Sequence, residues 1–560
     1  MRVTLLAALL TAGCVTDPVL IPTSTPPTPT TTLALTTTST TVITLPALIE
    51  HRIGVRVVDG EGEFFDRATG ETFVPRGANL IRLAGGRHST LNVGQYDPER
   101  IEEAFTAITA AGYNVVRVFL DSGPNGLPGA TESLSSEYLD NTVDLLARAK
   151  AHGLQVLLTQ DWLPESPAWS FASEPMIENV NSMYLSQGGV EKNRRFYREW
   201  VQGLIERGAA FDALFAYELR NELYFTELFP PFSLSEGTVA TANGATYDLA
   251  EPDAKRRLLE ENLVFWADSM REEILAFDPT ALVTVGFFQP KGPNTSRVGD
   301  DRLIETREMI VNSTMDFIDL HGYPGGELNL REIVENYGLP PVTEKPILLG
   351  EFGAEHSAYP SSEQAVGVLV GWQVESCEYG FDGWLVWTWD SAEQPEIWSA
   401  IDNDGAIAQA LSPLTRPDPC SAGANYEGQV ELATGASVRV STELSDSPGS
   451  YAVDGLANTA WNSGQPPHQW IEVDLGEAHT VESIRLLVAQ NPSGSTRHVI
   501  SVKGESGDYQ EIATLTGETT DNQWLEVPLA GPLEGLRFIG VETFESPSWV
   551  AWREISVLGS

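Results

Sequence analysis

The chain has 560 residues, with 34 Lys and Arg against 78 Asp and Glu, a net charge of −44. That balance disfavours nucleic acid as a partner, because affinity for a phosphate backbone rests on basic charge that this chain lacks overall. A 42% hydrophobic and 20% charged composition is that of a globular protein with a substantial core, long enough for several domains. Cys14, Cys377 and Cys420 and the 8 scattered histidines lack zinc-ligand spacing. Cys377 and Cys420 read either as a disulfide of an oxidising compartment or as two unpaired thiols.

At the N-terminus, Arg2, an apolar run and Thr11-Ala12-Gly13-Cys14 form a secretory signal over residues 1–14. It resembles a bacterial lipoprotein signal, which implies lipidation at Cys14 and an extracellular, cell-surface location. An ordinary cleaved signal and free secretion is the alternative. Residues 15–50 are a Thr/Pro-rich linker that favours extended conformations and reads as a stalk. No apolar run reaches the roughly 18 residues of a membrane span, so membrane contact is expected only through the lipid anchor.

From residue 51 the composition turns globular. Strand patterns at 74–79, 114–119, 155–160, 214–219, 282–286, 317–321, 346–350 and 383–388 alternate with helical patterns such as 98–111, 136–152, 192–207, 255–277 and 363–379. Apolar strands separated by crossover helices indicate parallel strands buried on both faces. The fold class is therefore α/β, a (β/α)8 TIM barrel over residues 51–416. A linker at 417–428 leads to residues 429–560, where short alternating strands at 471–475, 483–488, 498–502, 524–527, 535–541 and 550–557 predict a β-sandwich.

Barrel enzymes place their chemistry at the C-terminal ends of the strands. The fourth strand pattern runs into Asn221-Glu222 and the seventh into Gly350-Glu351-Phe352-Gly353. Two facing carboxyl groups suit glycosidic cleavage, one supplying a proton to the leaving oxygen and the other attacking the anomeric carbon. These motifs, with Arg76-Gly77-Ala78-Asn79, Asn114-Val115-Val116-Arg117 and His321-Gly322-Tyr323, resemble glycoside hydrolase family 5, the cellulase and β-mannanase family. The resemblance covers roughly residues 54–410 and implies the following roles. Glu222 is the acid/base and Glu351 the nucleophile. Asn221 binds the sugar 2-hydroxyl, Arg117 and Tyr323 contact the nucleophile, and His321 lies near the acid/base. Trp387 is the aromatic floor of the site, with Trp389 as the competing register. Where many members have a histidine after strand three this chain has Thr159-Gln160-Asp161-Trp162, and Trp162 points towards mannan or else packs in the core. Leu223 replaces the proline usual after the glutamate.

In the C-terminal segment, 451–461 (Tyr-Ala-Val-Asp-Gly-Leu-Ala-Asn-Thr-Ala-Trp) and 469–476 resemble the discoidin or coagulation factor 5/8 type C domain, a jelly roll that includes the family 32 carbohydrate-binding modules. This implies a carbohydrate ligand and a structural calcium held by Asp454, Asn458, Thr459 and Glu554, an all-oxygen set suited to a hard cation. Trp461 and Trp470 are expected in the core. No cofactor is expected for catalysis.

The combined expectation is a surface-anchored retaining glycosidase acting on a neutral β-linked polysaccharide or oligosaccharide, β-1,4-mannan or β-1,4-glucan. An exo-acting or glycoconjugate-acting glycosidase of the same clan, and a non-catalytic carbohydrate-binding or adhesion protein, are the alternatives. The absence of a Gly-x-Ser-x-Gly elbow disfavours a serine esterase.

Overall fold

In a computed structural model, residues 50–559 are described, apart from 81–89, 121–132, 164–166, 295–299, 327, 341–342, 391–393, 418, 421–429, 446 and 456–458. Cys14, the Thr/Pro-rich linker, Asn458 and most of the 417–428 linker lie outside the described residues. No helix among those described is long and apolar enough to cross a membrane.

Eight parallel strands form the barrel. They are β1 (Arg76–Leu80), β2 (Val115–Leu120), β3 (Gln155–Gln160), β4 (Leu214–Glu218), β5 (Val283–Thr284, resuming as Gly286–Phe287), β6 (Ile318–His321), β7 (Ile347–Phe352) and β8 (Phe381–Val386). The first piece of β5 pairs with β4 and the second with β6, while β8 pairs with β1, so the sheet closes on itself. Every residue of β1, β2, β3, β4, β6 and β7 is buried. Such burial is what a strand covered by helices outside and by its own barrel inside requires.

A crossover helix follows each strand, from Pro98–Ala110 after β1 to Asp402–Ala410 after β8. Local sequence starts and stops them. Ser135 caps the helix Ser136–His152, and Gly153, at φ +73°, ends it. Asn329 and Ser361 form capping boxes with Glu332 and Gln364 at the helices after β6 and β7, which fixes where the preceding loops end. The helix expected at 192–207 begins earlier, at Gln187, because the Ser186 hydroxyl accepts from the Gly189 amide.

An antiparallel hairpin, Ile53–Val58 with Glu61–Asp66, precedes the barrel. Its Ile53 and Phe64 join Val115, Leu157, Phe215, Leu282, Phe317, Leu348 and Leu385 in a core of their own, with Phe64 ringed by Phe215 and Phe317. All of these barrel residues except Leu385 lie in the first half of their strands or just before them, so the hairpin plugs the end of the barrel opposite the strand C-termini.

The sandwich runs from Val430–Glu431 to Ala551–Gly559 in one antiparallel network. The strands expected at 471–475 and 483–488 are one strand of 20 residues, Gln469–Val488. Its first half pairs with Ser437–Val440 and Leu533–Glu545, and its second with Trp524–Glu526 and Ala551–Gly559. The change of partner falls at a register shift beyond Asp474, where Gly476 adopts φ +86°. Gln510–Thr519 adds a strand the sequence pattern did not signal. Trp461 and Trp552 are fully buried between the layers, whereas Trp470 is only partly buried.

Cys377 and Cys420 are disulfide-bonded, tying the end of the helix after β7 to the segment that leaves the barrel. The sandwich also grips two barrel loops. Asn329, after β6, donates from Nδ2 to the Asp454 carbonyl at 2.9 Å. Arg485 donates from Nη1 to the Ala358 carbonyl, after β7, at 2.8 Å.

Candidate active site

A cationic side chain in the middle of a buried strand must find anions, because an unpaired charge in a low-dielectric interior is prohibitively costly. Arg117, on β2, is fully buried and finds two. Its Nε and Nη2 donate to the two oxygens of Glu218 at 2.6 and 2.7 Å, a bidentate pair that fixes the guanidinium plane. With that plane set, Nη1 reaches Glu351 Oε1 at 2.5 Å and Asn79 Oδ1 at 2.8 Å, and Nη2 also reaches Asn221 Oδ1 at 2.8 Å. Thr159 holds Glu218 from β3 at 2.7 Å. Side chains from three other strands, β1, β4 and β7, therefore meet at one guanidinium.

Glu351, near the end of β7, is almost fully buried, and its second oxygen accepts from the Tyr323 hydroxyl at 2.6 Å. Burial raises its carboxyl above the ordinary value, against the opposing charges of His321 and Arg117. Burial and the Glu351 charge push the Tyr323 phenol well up, so it remains a donor.

Glu222 stands beyond β4 on a left-handed backbone, φ +45°, unusual for a residue with a Cβ. The flanking amides hold that turn, Asn221 N on the Gln160 carbonyl and Leu223 N on Gly286. Its side chain is 32% exposed and bonds His321 Nδ1 at 3.2 Å. For Glu222, partial burial raises the carboxyl pKa, but the His321 hydrogen bond and charge outweigh it and leave it below the ordinary value. Burial would lower His321, yet Glu351 and Glu222 together push it up to about 9.

One oxygen of Glu222, one of Glu351 and a nitrogen of His321 lie within 4.8 Å of one another. Glu218, Asp319 and His321 form a second such group. Each group has the separation a cation would need, but each contains a carboxylate already committed to Arg117.

Trp387 lies beside this network. It packs with Phe119, Ile397 and Tyr323, its ring edge-on to Phe119 at 5.7 Å, and its indole donates to Gln394 at 2.7 Å. Trp389 instead joins the main core and faces Tyr113, so of the two registers Trp387 is the one that adjoins Tyr323, the partner of Glu351. Trp162 is half-buried against Tyr224, with the Arg220 guanidinium 3.9 Å above its ring. The barrel thus brings Arg117, Asn221, Glu222, His321, Tyr323, Glu351 and Trp387 together, with Trp162 among neighbours of Glu222 in the chain.

Sequence reasoning missed Glu218, Thr159, Asn79 and Asp319. A signal existed, since each is a polar residue inside an otherwise apolar strand run. Glycines make room for the two carboxylates. A Cβ on Gly286 would lie 2.1 Å from Glu218 Oε1, and one on Gly350 would lie 1.9 Å from Asp319 Oδ1.

In the sandwich, Thr459 Oγ1 donates to the Asp454 carboxylate at 3.0 and 2.9 Å, and the Gly455 amide meets Glu554 at 3.2 Å. Three of the four oxygen-bearing residues expected around a cation thus share one loop and the closing strand, a donor set that fits calcium.

Solved structures offer likenesses to both parts of the chain. Exo-beta-1,4-mannosidase Op5Man5 from Opitutaceae bacterium strain TAV5 aligns with 65% of this chain and 62% of its own, at 17% identity and a TM-score of 0.43. The endo-1,4-beta-mannanase from Rhizomucor miehei aligns with 64% of this chain and 99% of its own, at 16% identity and a TM-score of 0.45. The family 32 carbohydrate-binding module of NanJ from C. perfringens, solved with galactose, aligns with 23% of this chain and 98% of its own, at 21% identity and a TM-score of 0.21. Among curated proteins none matches. The F5/8 type C domain family matches residues 437–555, so behind its barrel the chain carries an F5/8 type C domain.

Proposed function

We propose that the barrel is a retaining glycoside hydrolase that cleaves a neutral β-linked saccharide, β-1,4-mannan or β-1,4-glucan, as its resemblance to family 5 implies. One observation carries this reading: carboxylate oxygens of Glu222 and Glu351 approach within 4.8 Å, one glutamate clamped by Arg117 and Tyr323 and the other free to meet a substrate. Oxygens this close are compatible with the separation of about 5 to 5.5 Å between carboxyl groups in retaining enzymes.

In the first step Glu351 attacks the anomeric carbon while Glu222 gives its proton to the leaving oxygen. In the second, Glu222 takes a proton from the water that releases the sugar from Glu351. Arg117 and Tyr323 orient Glu351 and stabilise its anionic form. In the free site His321 favours the Glu222 anion. A sugar covering the exposed third of Glu222 would exclude water and raise its pKa, preparing it as the acid. Trp387 supplies an apolar face for the pyranose ring. The acidic surface favours neutral over polyanionic polymers.

The F5/8 type C domain is proposed to bind carbohydrate. Calcium, held by Asp454, Asn458, Thr459 and Glu554, would tie its loop to the closing strand, and chelation would then lower the melting temperature in wild type but not in Asp454→Ala. Lipidation at Cys14 would anchor the enzyme at the cell surface.

The test is reducing-sugar release from mannan, galactomannan, cellulose, mixed-linkage glucan and xylan, with Glu351→Ala as control. Release that the substitution abolishes supports the reading. Silence on all of these and on aryl β-glycosides, from a folded protein, would overturn it in favour of a binding or adhesion role.

A further inference from the structure

Behind the two glutamates lies a carboxyl group that the proposed chemistry does not use. Asp319, in the middle of β6, is fully buried, and neither of its oxygens has a hydrogen-bond partner among the described residues. The nearest group of opposite character is His321 Nε2, 3.8 Å from Asp319 Oδ1 and likewise without a partner. Two unsatisfied buried polar groups facing each other are rare in native interiors, because each carries an uncompensated desolvation cost. The other ring nitrogen of His321 faces the catalytic pair, Glu222 at 3.2 Å and Glu351 at 3.5 Å. The imidazole therefore stands between Asp319 and Glu222.

Space for Asp319 is built into the neighbouring strand, since any side chain at position 350 would collide with it. The charged groups facing the pair are Glu218 at the end of β4, Arg117 in β2 and Glu351 on β7, beside Glu222 itself. Arg117 is occupied by Glu218 and Glu351, which leaves Asp319 and His321 to each other.

We propose that Asp319 is a positioning residue that shares one proton with His321 and thereby governs the charge His321 presents to Glu222. The proposal rests on the reading of Glu222 as acid/base. Once a bound sugar leaves Glu222 protonated, Asp319 holds the shared proton and faces Nε2 of an imidazole that is then neutral, with its Nδ1–H towards Glu222. When Glu222 gives its own proton to the leaving oxygen, a new negative charge appears beside Nδ1–H. The shared proton then moves from Asp319 to Nε2, forming imidazolium next to the Glu222 anion and leaving carboxylate at Asp319. When Glu222 takes a proton from the attacking water, the shared proton returns. No proton enters or leaves the pair, and each step conserves charge. Burial, with the neighbouring Glu218 charge, raises the Asp319 carboxyl to about 8, which agrees with its holding a proton until Glu222 discharges its own.

The test uses the full chain with isotopically labelled histidine and follows the ring nitrogens of His321 by NMR across pH, with His321→Asn to assign the signal. In Asp319→Asn, which conserves volume, the His321 midpoint is expected to fall by at least about one pH unit, a tenfold loss of proton affinity. An unmoved midpoint overturns the proposal. Should that variant fail to fold, the side-chain carboxyl of Asp319 in the wild type is followed by carbon NMR. Titration near or above neutrality supports the proposal, and titration in the ordinary aspartate range overturns it. A parallel pH–rate profile separates this claim from the enzymatic one. Where turnover is measurable, Asp319→Asn is expected to move the alkaline limb to lower pH and reduce kcat more than it changes KM. A shifted His321 midpoint in a protein that hydrolyses no glycoside would uphold the shared proton and reject the glycosidase reading.

Discussion

Arg485, on the long strand of the C-terminal sandwich, donates to the carbonyl of Ala358 at 2.8 Å, in the loop that carries the chain away from Glu351. Its guanidinium is sandwiched near the rings of Trp524, at 4.2 Å, and Tyr359, at 5.1 Å. The same loop is held from the other side, where Trp398 donates to the Tyr359 carbonyl at 2.6 Å and stacks on His356. The sandwich thus braces the loop that follows the proposed nucleophile. Arg485→Ala removes a buried charge-assisted donor, a loss of about 1 to 3 kcal/mol. The expected outcome in the intact chain is a melting transition that separates into two, with faster amide exchange across residues 353–361. A single unshifted transition with unchanged exchange would show that the brace is idle.

The two glutamates are separable by leaving group. Glu351→Ala is expected to abolish turnover of every glycoside, since no other carboxylate can attack. Glu222→Ala is expected to slow substrates with poor leaving groups by about 100-fold or more, and activated aryl glycosides far less, because an aryl oxide departs without general-acid help. Equal losses for both classes would remove Glu222 from the acid/base role.

The buried cluster predicts a pH dependence of stability. His321, pushed up from 6.5 to about 9, stabilises the fold below pH 6.5, and this contribution is lost as pH rises through 9. Asp319, pushed up from 3.8 to about 8, keeps a proton that the unfolded chain releases, so its contribution also falls as pH rises towards 8. In both cases the folded state binds more protons, and stability must decline with pH. His498, lowered from 6.5 to about 4 by burial, acts in the opposite direction only below 6.5. Urea midpoints measured at pH 6.5 and 9 are expected to fall in wild type and to fall less in Asp319→Asn.

Reducing the Cys377–Cys420 bond opens a loop with a sequence separation of 43. The chain-entropy model puts the cost at about 4 kcal/mol. Dithiothreitol is therefore expected to lower the denaturation midpoint of wild type and to leave a Cys377→Ser, Cys420→Ser double variant unmoved. An equal response in both would place the effect elsewhere.

Much of this site was legible before any coordinates. Glu222 and Glu351 stand at the ends of apolar runs that only buried parallel strands explain, and strand ends are where barrel residues meet. The partners of Arg117 were not legible to the same degree. Its contact with Glu351 was expected, whereas its bidentate grip on Glu218 depends on which inward positions of β2 and β4 fall at the same height, set by the stagger of the closed barrel. The competing tryptophans show the same limit. Trp387 and Trp389 differ by two positions, and only the packing of Trp389 against Tyr113 assigns Trp387 to the site.

By itself, the sequence determined the order of the parts, the alternation that makes a barrel, the switch to antiparallel strands, and the residue types able to cleave a glycosidic bond. Those follow from local periodicity and from chemistry that travels with single residues. Tertiary structure alone decided that Asp319 faces His321, that Gln469–Val488 is one strand serving two sets of partners, and that Arg485 reaches the loop beyond Glu351. The last two join residues far apart in the chain, and the first depends on Gly350 of the neighbouring strand leaving room for Asp319. Such contacts are selected by how whole layers close and dock, a choice on which local sequence preferences carry no information.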